Sequence, residues 1–180
     1  LAIGMSAAIL IFLWVHNELN FDGYHTDAGN IYRIKNYLGI NKQEVSVWEN
    51  SPYLLGEKAK ETVPGVMKVA RVRPMIYNPP FFNIKGEFVK ETGCAYIDSA
   101  WFDVFHYEFV HGSATAFNNN PFSLVLTESK ARKYFGNEHP VGKIIKIDTV
   151  NYQVEAVVKD NPANSSFQYD AFFSLAGFMA

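Results

Sequence analysis

SLVLTESKARKYFGNEHPVGKIIKIDTVNYQVEAVV, residues 123–158, carries the change of pattern that decides the fold. The apolar run 123–126 is too short for a helix and reads as a buried strand. Thr127 then stands where a helix cap is wanted, with Glu128 in the first turn, Lys130, Arg132 and Lys133 further along, and Gly136 just past the end. Acidic residues at the start and basic ones at the end complement the helix dipole, and glycine is the usual stop. Residues 143–147 and 152–158 alternate apolar and polar on either side of a turn at 148–151, which predicts a hairpin. Strand, helix and hairpin in 36 residues indicate an α+β fold.

Working outward, residues 31–38 read as a strand ending at Gly39, and 45–48 as a second after the polar turn 41–44. Asn50 or Ser51 can cap a helix with Pro52 at its first position, running to about Thr62, where Pro64 and Gly65 stop it. Residues 67–73 alternate apolar and basic side chains, the pattern of a half-buried strand. Between 75 and 116 the chain is rich in aromatics and broken by Pro79, Pro80, Gly86, Gly93 and Gly112, so short strands are expected, with one or two helical turns at 100–105. A loop at 159–166 precedes a last strand over 167–175.

The opening LAIGMSAAILIFLWV, residues 1–15, is apolar or small throughout, interrupted only by Gly4 and Ser6. A helix hydrophobic on all sides belongs in a large core or a bilayer, and the rest of this chain is too short to surround it. Fifteen residues reach about 22 Å, less than a hydrocarbon core of about 30 Å. Because the chain opens at Leu1, we expect its missing first part to complete the span. A signal peptide would need a basic start and a small-residue cleavage site, and His16 to Asn20 offers none. After the helix no Lys or Arg occurs before Arg33, whereas Glu18, Asp22 and Asp27 do. Cytoplasmic flanks are basic, so the folded part is expected outside the cytoplasm. Gly4 and Ala8 share a helix face, a weak sign of close helix packing.

Composition narrows the function. The 180 residues are 48% hydrophobic and 19% charged, with a net charge of −2, enough to build a core and too neutral for the basic footprint of a nucleic-acid binder. The single cysteine, Cys94, excludes an intrachain disulfide and a cysteine metal cluster. Gly136, Gly142 and Lys143 approach a phosphate loop, but five residues separate the glycines, Pro140 lies among them and Ile144 stands where Ser or Thr is needed. A helix stop and a turn account for them. None of the five histidines has metal-ligand spacing: His106 and His111 flank Glu108 on an expected strand, and a third ligand is lacking. Asp22 and His25 are spaced for a hydrogen-bonded pair, and no Ser or Cys sits in a nucleophile motif. The sequon at Asn164 is too common a pattern to carry weight. The aromatic content of 16% fits a β-rich core better than a stacking platform. No catalytic, cofactor or metal residue is assigned.

Four ordered stretches then carry a resemblance: FDGYHTDAGNIYR (21–33) after the membrane helix, YIDSAWFDVFHYEFVHG (96–112), LTESKARKYFGNEHPVGKIIKID (126–148) and YQVEAVVKDNPANSSFQYD (152–170). Together they resemble the extracytoplasmic (periplasmic core) domain of MacB/FtsX-type ABC transporter permeases, especially a Bacteroidetes-like group, over nearly the whole chain. The resemblance implies a membrane helix ending at about residue 19 and a non-enzymatic, two-lobed domain over 20–180. A porter-like βαβ lobe would begin in 31–74, with an inserted, mixed and β-rich lobe at about 75–160 and a return strand at about 167–175, the closing elements lying beyond the C-terminus. It further implies the bacterial inner membrane with the domain on its periplasmic side, a permease homodimer or heterodimer, a separate cytoplasmic ABC ATPase, and a periplasmic or outer-membrane partner as an option. Such a domain would couple ATP-driven motion of membrane helices to export or mechanical work. The alternative is a membrane-anchored sensor or ligand-binding module without an ATPase.

If motion is transmitted, the junction between membrane helix and first strand must be stiff, because a flexible tether absorbs displacement. Phe21, Tyr24, Ile31 and Tyr32 are expected to pack it against the domain, Asp22 with His25 to fix its polar side, and Arg33 to hold an acidic partner; simple capping and strand initiation would account for the same residues. The degenerate phosphate loop yields a first prediction: titrating ATP and magnesium into the chain in a calorimeter should give no binding heat, and micromolar affinity would refute the reading of Gly136 to Lys143.

Overall fold

The computed structural model describes residues 2–41 and 44–179. Ala2–Leu19 forms helix α1, exposed on every side and, among the described residues, the one helix long and apolar enough to cross a membrane. Strands β1 (Asn36–Asn41) and β2 (Glu44–Trp48) pair antiparallel as a separate two-stranded sheet, followed by α2 (Leu55–Thr62). Then come β3 (Val72–Pro74), β4 (Phe81–Ile84), β5 (Glu87–Lys90), β6 (Cys94–Ile97), α3 (Trp101–Val104), β7 (Phe109–Gly112) and α4 (Ala114–Asn119). The chain continues through β8 (Ser123–Thr127), α5 (Glu128–Phe135), β9 (Ile144–Ile147), β10 (Val150–Val158), β11 (Ala171–Ser174) and α6 (Leu175–Met179). Nine strands make one mixed sheet in the order β3-β6-β11-β8-β10-β9-β4-β5, with β7 beside β10. The α+β reading holds.

Residues 123–158 behave largely as their pattern predicts. β8 and β10 pair in parallel around α5, and β9 and β10 form the antiparallel hairpin. All five residues of β8 are buried because helices cover both faces of the sheet. Leu124, Leu126, Val154 and Phe173 face Ala131 and Tyr134 of α5, while Val125, Ala156 and Phe172 face Trp101 of α3 and Phe117 of α4. Successive strand residues thus serve opposite cores, the period of two expected of a pleated strand. Gly136, at φ 63°, ends α5, and the Gly142 amide donates to the Val154 carbonyl, so the degenerate phosphate loop is a helix stop and a turn.

Thr127 precedes α5 but its side chain does not cap it; its hydroxyl is buried without a hydrogen-bond partner among the described residues. The first-turn donors go instead to Asp160, whose carboxylate accepts from the Ser129 amide at 3.0 Å and from the Ser129 hydroxyl. A capping group 31 residues away has no local signature. A second clamp holds α5 from its side. Glu91 is buried and accepts from Lys130 at 2.5 Å and Lys133 at 2.7 Å, and Lys130 also meets Asp170 at 3.2 Å. Burial alone would push the Glu91 carboxyl up, and the two lysines more than reverse it. The Cys94 thiol, buried in the sheet, is pushed up to about 12 and stays protonated.

Several boundaries shift where a partner strand, not the side-chain pattern, decides. Residues 31–35 are extended but unpaired, so the first strand begins at Asn36 where β2 comes alongside, and it runs through Gly39. The turn expected at 41–44 includes residues 42 and 43, which lie outside the described residues. α2 starts three residues after Pro52, whose carbonyl accepts from the Leu55 amide. Of the alternating segment 67–73 only residues 72 and 73 enter a strand, β3, which Pro74 completes and which joins the large sheet rather than pairing with β2. β2, α2 and β3 therefore follow one another, but the two strands belong to different sheets. The last strand is limited to 171–174, since Leu175 already opens α6. α4, unforeseen among the expected short strands, is capped by the Ser113 hydroxyl, which accepts from the Ala116 amide at 3.3 Å.

β7 ends at Gly112, at φ 74°, and a Cβ there would lie 2.1 Å from the Glu155 carbonyl oxygen and 2.7 Å from the Ala156 Cα. Both the left-handed backbone and the close approach of β10 demand glycine. Gly86, at φ 95°, has open space around it. Gly112→Ala should therefore cost about 2–4 kcal/mol, while Gly86→Ala costs about 1–2 kcal/mol for the backbone conformation alone. Thermal unfolding followed by circular dichroism checks this; equal melting temperatures for the two variants would contradict the packing at β7.

Candidate functional site

α1 leads into a turn that is tied to a loop at the far end of the sequence. Around Asn20 the helix unwinds, with Asn20 donating its side-chain amide back to the His16 carbonyl at 2.8 Å. Asp22 follows at φ 58°, a left-handed conformation that Asp tolerates better than most residues. This turn places both the backbone and the carboxylate of Asp22 against residues 164–166. The Asp22 amide donates to the Asn164 carbonyl at 2.9 Å. Its carboxylate accepts from the Ser166 amide at 2.7 Å and from the Ser166 hydroxyl. Asn164 Nδ2 donates to the Asn20 carbonyl at 2.9 Å, and the Tyr24 and Ser165 hydroxyls share a hydrogen bond of 2.8 Å.

The receiving loop is braced in its own right. Asn161 Nδ2 donates to the Tyr169 carbonyl at 2.6 Å, and Gln168 Nε2 reaches the carbonyls of Pro162 and Ser165 at 2.9 Å each. The Ser165 hydroxyl, buried, also accepts from the Phe167 amide at 3.2 Å. Each polar group held here is one fewer degree of freedom between α1 and β11.

His25 completes the junction on its apolar side. It is buried, its Nδ1 accepts from the His106 amide at 3.1 Å, and its ring lies 4.0 Å from Tyr24 and 5.2 Å from Phe105, centroid to centroid. Phe105 in turn packs on Trp101 and Phe167. An accepting Nδ1 requires the proton on Nε2, which has no hydrogen-bond partner among the described residues. Burial lowers the His25 value below its ordinary one, against the opposing charge of Asp22. The ring is thus held neutral, and a proton on Nδ1 would remove the bond to His106. Burial likewise raises the Tyr24 hydroxyl, with the Ser165 bond acting the other way.

The expected junction residues separate into two groups. Asp22, Tyr24 and His25 are drawn together, although the side chains of Asp22 and His25 go to Ser166 and His106 rather than to each other. Ile31 packs against the core that contains Trp101 and Phe172. Phe21 stays 42% exposed and Tyr32 83% exposed, so neither packs the turn as expected, because the chain has already turned outward at both positions. Arg33 finds its acidic partner in Glu49 at 2.9 Å, an exposed pair of small energetic weight. Asn164, Ser165 and Ser166 were missing from the expected set. Their only local signal is a run of short polar residues after Pro162, which reads as any surface loop.

Among the described residues no group of three or more His, Cys, Asp or Glu side chains converges as a metal site. At the junction hydrogen bonds and aromatic packing converge, and the His25 ring is held neutral.

Solved structures of other proteins are similar to parts of this chain. A domain from a protein named as a permease in Porphyromonas gingivalis has a similar fold, at a TM-score of 0.56 and 21% identity over 67% of this chain and 56% of that one. The periplasmic region of MacB from Actinobacillus actinomycetemcomitans matches at a TM-score of 0.49 and 18% identity, covering 68% of this chain and 56% of that one. The extracellular domain of the noncanonic ABC-type transporter YknZ from Gram-positive bacteria matches at 0.49 and 19%, covering 68% and 60%. The chain therefore spans little more than half the length of these structures. No curated protein matches it. The family model for the MacB-like periplasmic core domain matches residues 1–180, α1 and the folded part together, and the chain belongs to that family.

Proposed function

We propose that this chain is the non-catalytic extracytoplasmic part of an ABC transporter permease of the bacterial inner membrane, and that it passes ATP-driven movement of the membrane helices to export or mechanical work on the periplasmic side. Residues 1–19 would be the end of the first membrane helix and 20–180 the periplasmic core domain. In that domain 31–74, about 75–160 and about 167–175 would be the porter-lobe part, the inserted lobe and the return strand, all three lending strands or flanking segments to the structure around the large sheet. The partners on this reading are a cytoplasmic ABC ATPase, a second permease subunit of the same or a related kind, and a periplasmic or outer-membrane component.

The observation that carries the reading is the lock between residues 20–25 and 164–166, two segments 144 residues apart in sequence. A displacement of α1 reaches Ser166 through Asp22 without a flexible linker, and Ser166 lies five residues before β11 in the middle of the sheet. Tethering alone would need none of these bonds. Asp22, Tyr24 and His25 carry the link on this reading; Phe21, Ile31, Tyr32 and Arg33 belong to the same junction as its flanks.

Slack is the property that should abolish such coupling. Inserting five Gly and Ser residues between Leu19 and Asn20 separates Asn20 from His16 but precedes every bond to the 164–166 loop, so the domain should fold unchanged while α1 is uncoupled. ATPase stimulation and cargo movement, measured in the full assembly, should fall towards background; parental activity with the insertion in place would overturn the proposal. An insertion after Gly23 is less telling, because Asn20 and Asp22 would stay attached.

The junction should also weaken in acid. Because the folded-state value of His25 lies below its ordinary one, its contribution is complete above about pH 6.5 and is lost as the pH falls and the unfolded ring takes up a proton. His25→Asn keeps an acceptor near the Nδ1 position and removes the titration. The parent should lose more melting temperature than H25N between pH 7.5 and pH 5; parallel losses would show that His25 does not titrate against folding.

A further inference from the structure

His111 and His139 have no place in the junction, and sequence spacing does not connect them, yet the fold brings their rings to a centroid separation of 4.9 Å with planes inclined at 53°. His111 lies in β7, its backbone paired with Val157 of β10. His139 lies in the turn after α5 and precedes Pro140, which is buried and restricts the backbone before it. That turn is tied down by the Lys143 amide donating to the Pro140 carbonyl at 3.1 Å and by the Gly142 amide donating to the Val154 carbonyl at 2.8 Å. Both histidines are exposed. Neither ring makes a hydrogen bond or ion pair among the described residues, so neither is occupied by another structural role.

The separation has a chemical meaning. A metal bound to two imidazole nitrogens at about 2.0–2.1 Å, with each ring centre about 1.2 Å further on, sets the centroids about 4.5 Å apart at a right angle and about 5.2 Å apart at a tetrahedral angle. The observed 4.9 Å lies between these limits. We infer that His111 and His139 form a two-histidine site for a late first-row divalent cation, zinc, nickel or copper, with water completing the coordination sphere. Imidazole favours these metals and not magnesium or calcium, which take oxygen ligands. Bound metal would fasten the β7 edge to the turn between α5 and β9, each of which is hydrogen-bonded to β10.

The test is calorimetric titration of the full chain in detergent with zinc and with nickel chloride, alongside His111→Gln, His139→Gln and, as a control on histidine number, His106→Gln. One equivalent of each metal should bind the parent in roughly the micromolar range, weakened at least about tenfold in H111Q and in H139Q and unchanged in H106Q. Magnesium chloride should give no heat. Without metal the melting temperatures of H111Q and H139Q should match the parent, and zinc should raise the melting temperature of the parent but of neither variant. Absence of binding to the parent, or affinity that persists in either variant, would overturn the assignment.

Discussion

The insertion of β11 between β6 and β8 is the pairing on which the rest of the structure depends. On one side lie β3 and β6, on the other β8, β10, β9, β4 and β5 with β7 beside β10, and among the described residues β11 is the strand that pairs with both groups. It runs parallel to β6 from Ala171↔Cys94 to Ser174↔Ile97, and antiparallel to β8 from Ala171↔Leu126 to Phe173↔Leu124. All four residues are buried, with Phe172 and Phe173 pointing into opposite cores. Each phenylalanine side chain withdrawn from water contributes about 1.5–3 kcal/mol, so one short strand supplies much of the cohesion between the two groups. Its start is set by Gly93, whose carbonyl accepts from the amides of both Asp170 and Ala171.

The same strand lies next to the junction. The braced loop that receives Asn20, Asp22 and Tyr24 runs directly into β11, so α1 is linked to the best-buried part of the sheet and not to an edge. The aromatic chain from His25 through Phe105 to Trp101 and Phe167 makes a second route into the same core. Carboxylate, amide and hydroxyl contacts restrain the polar side of the turn while ring packing restrains the other.

Two features stand apart from that rigid centre. Among the described residues β1 and β2 pair with no strand of the large sheet, Tyr37, Val47 and Trp48 are exposed, and the chain passes from β2 through α2 to β3. Arg71 links α2 back to the body, meeting Glu57 at 2.8 Å and Asp98 at 2.9 Å. At the other end, His111 and His139 meet where β7 and the turn after α5 are each fixed to β10, an arrangement produced by strand pairing and not by any local motif.

What the sequence by itself determined is whatever depends on neighbours a few residues away. The unbroken apolarity of α1, the strand–helix–hairpin order over 123–158, the stop at Gly136 and the failure of the phosphate loop are all local properties of backbone and side chain, and they were legible. Asp22, Tyr24 and His25 stood in the sequence beside Phe21, Ile31, Tyr32 and Arg33 as residues following the apolar helix, with nothing local to separate them. Tertiary structure alone decided where those residues bind. Asp22 chose Ser166 over His25, three residues away, because the left-handed turn at Asp22 aims its carboxylate at the loop before β11. Asp160 took over the capping of α5, and the edges of β1, β3 and β11 fell where a partner strand began. Such contacts join segments from tens to well over a hundred residues apart, and hydrogen-bond donors and acceptors carry no label for a distant partner; only the packed sheet, by bringing the segments together, selects it.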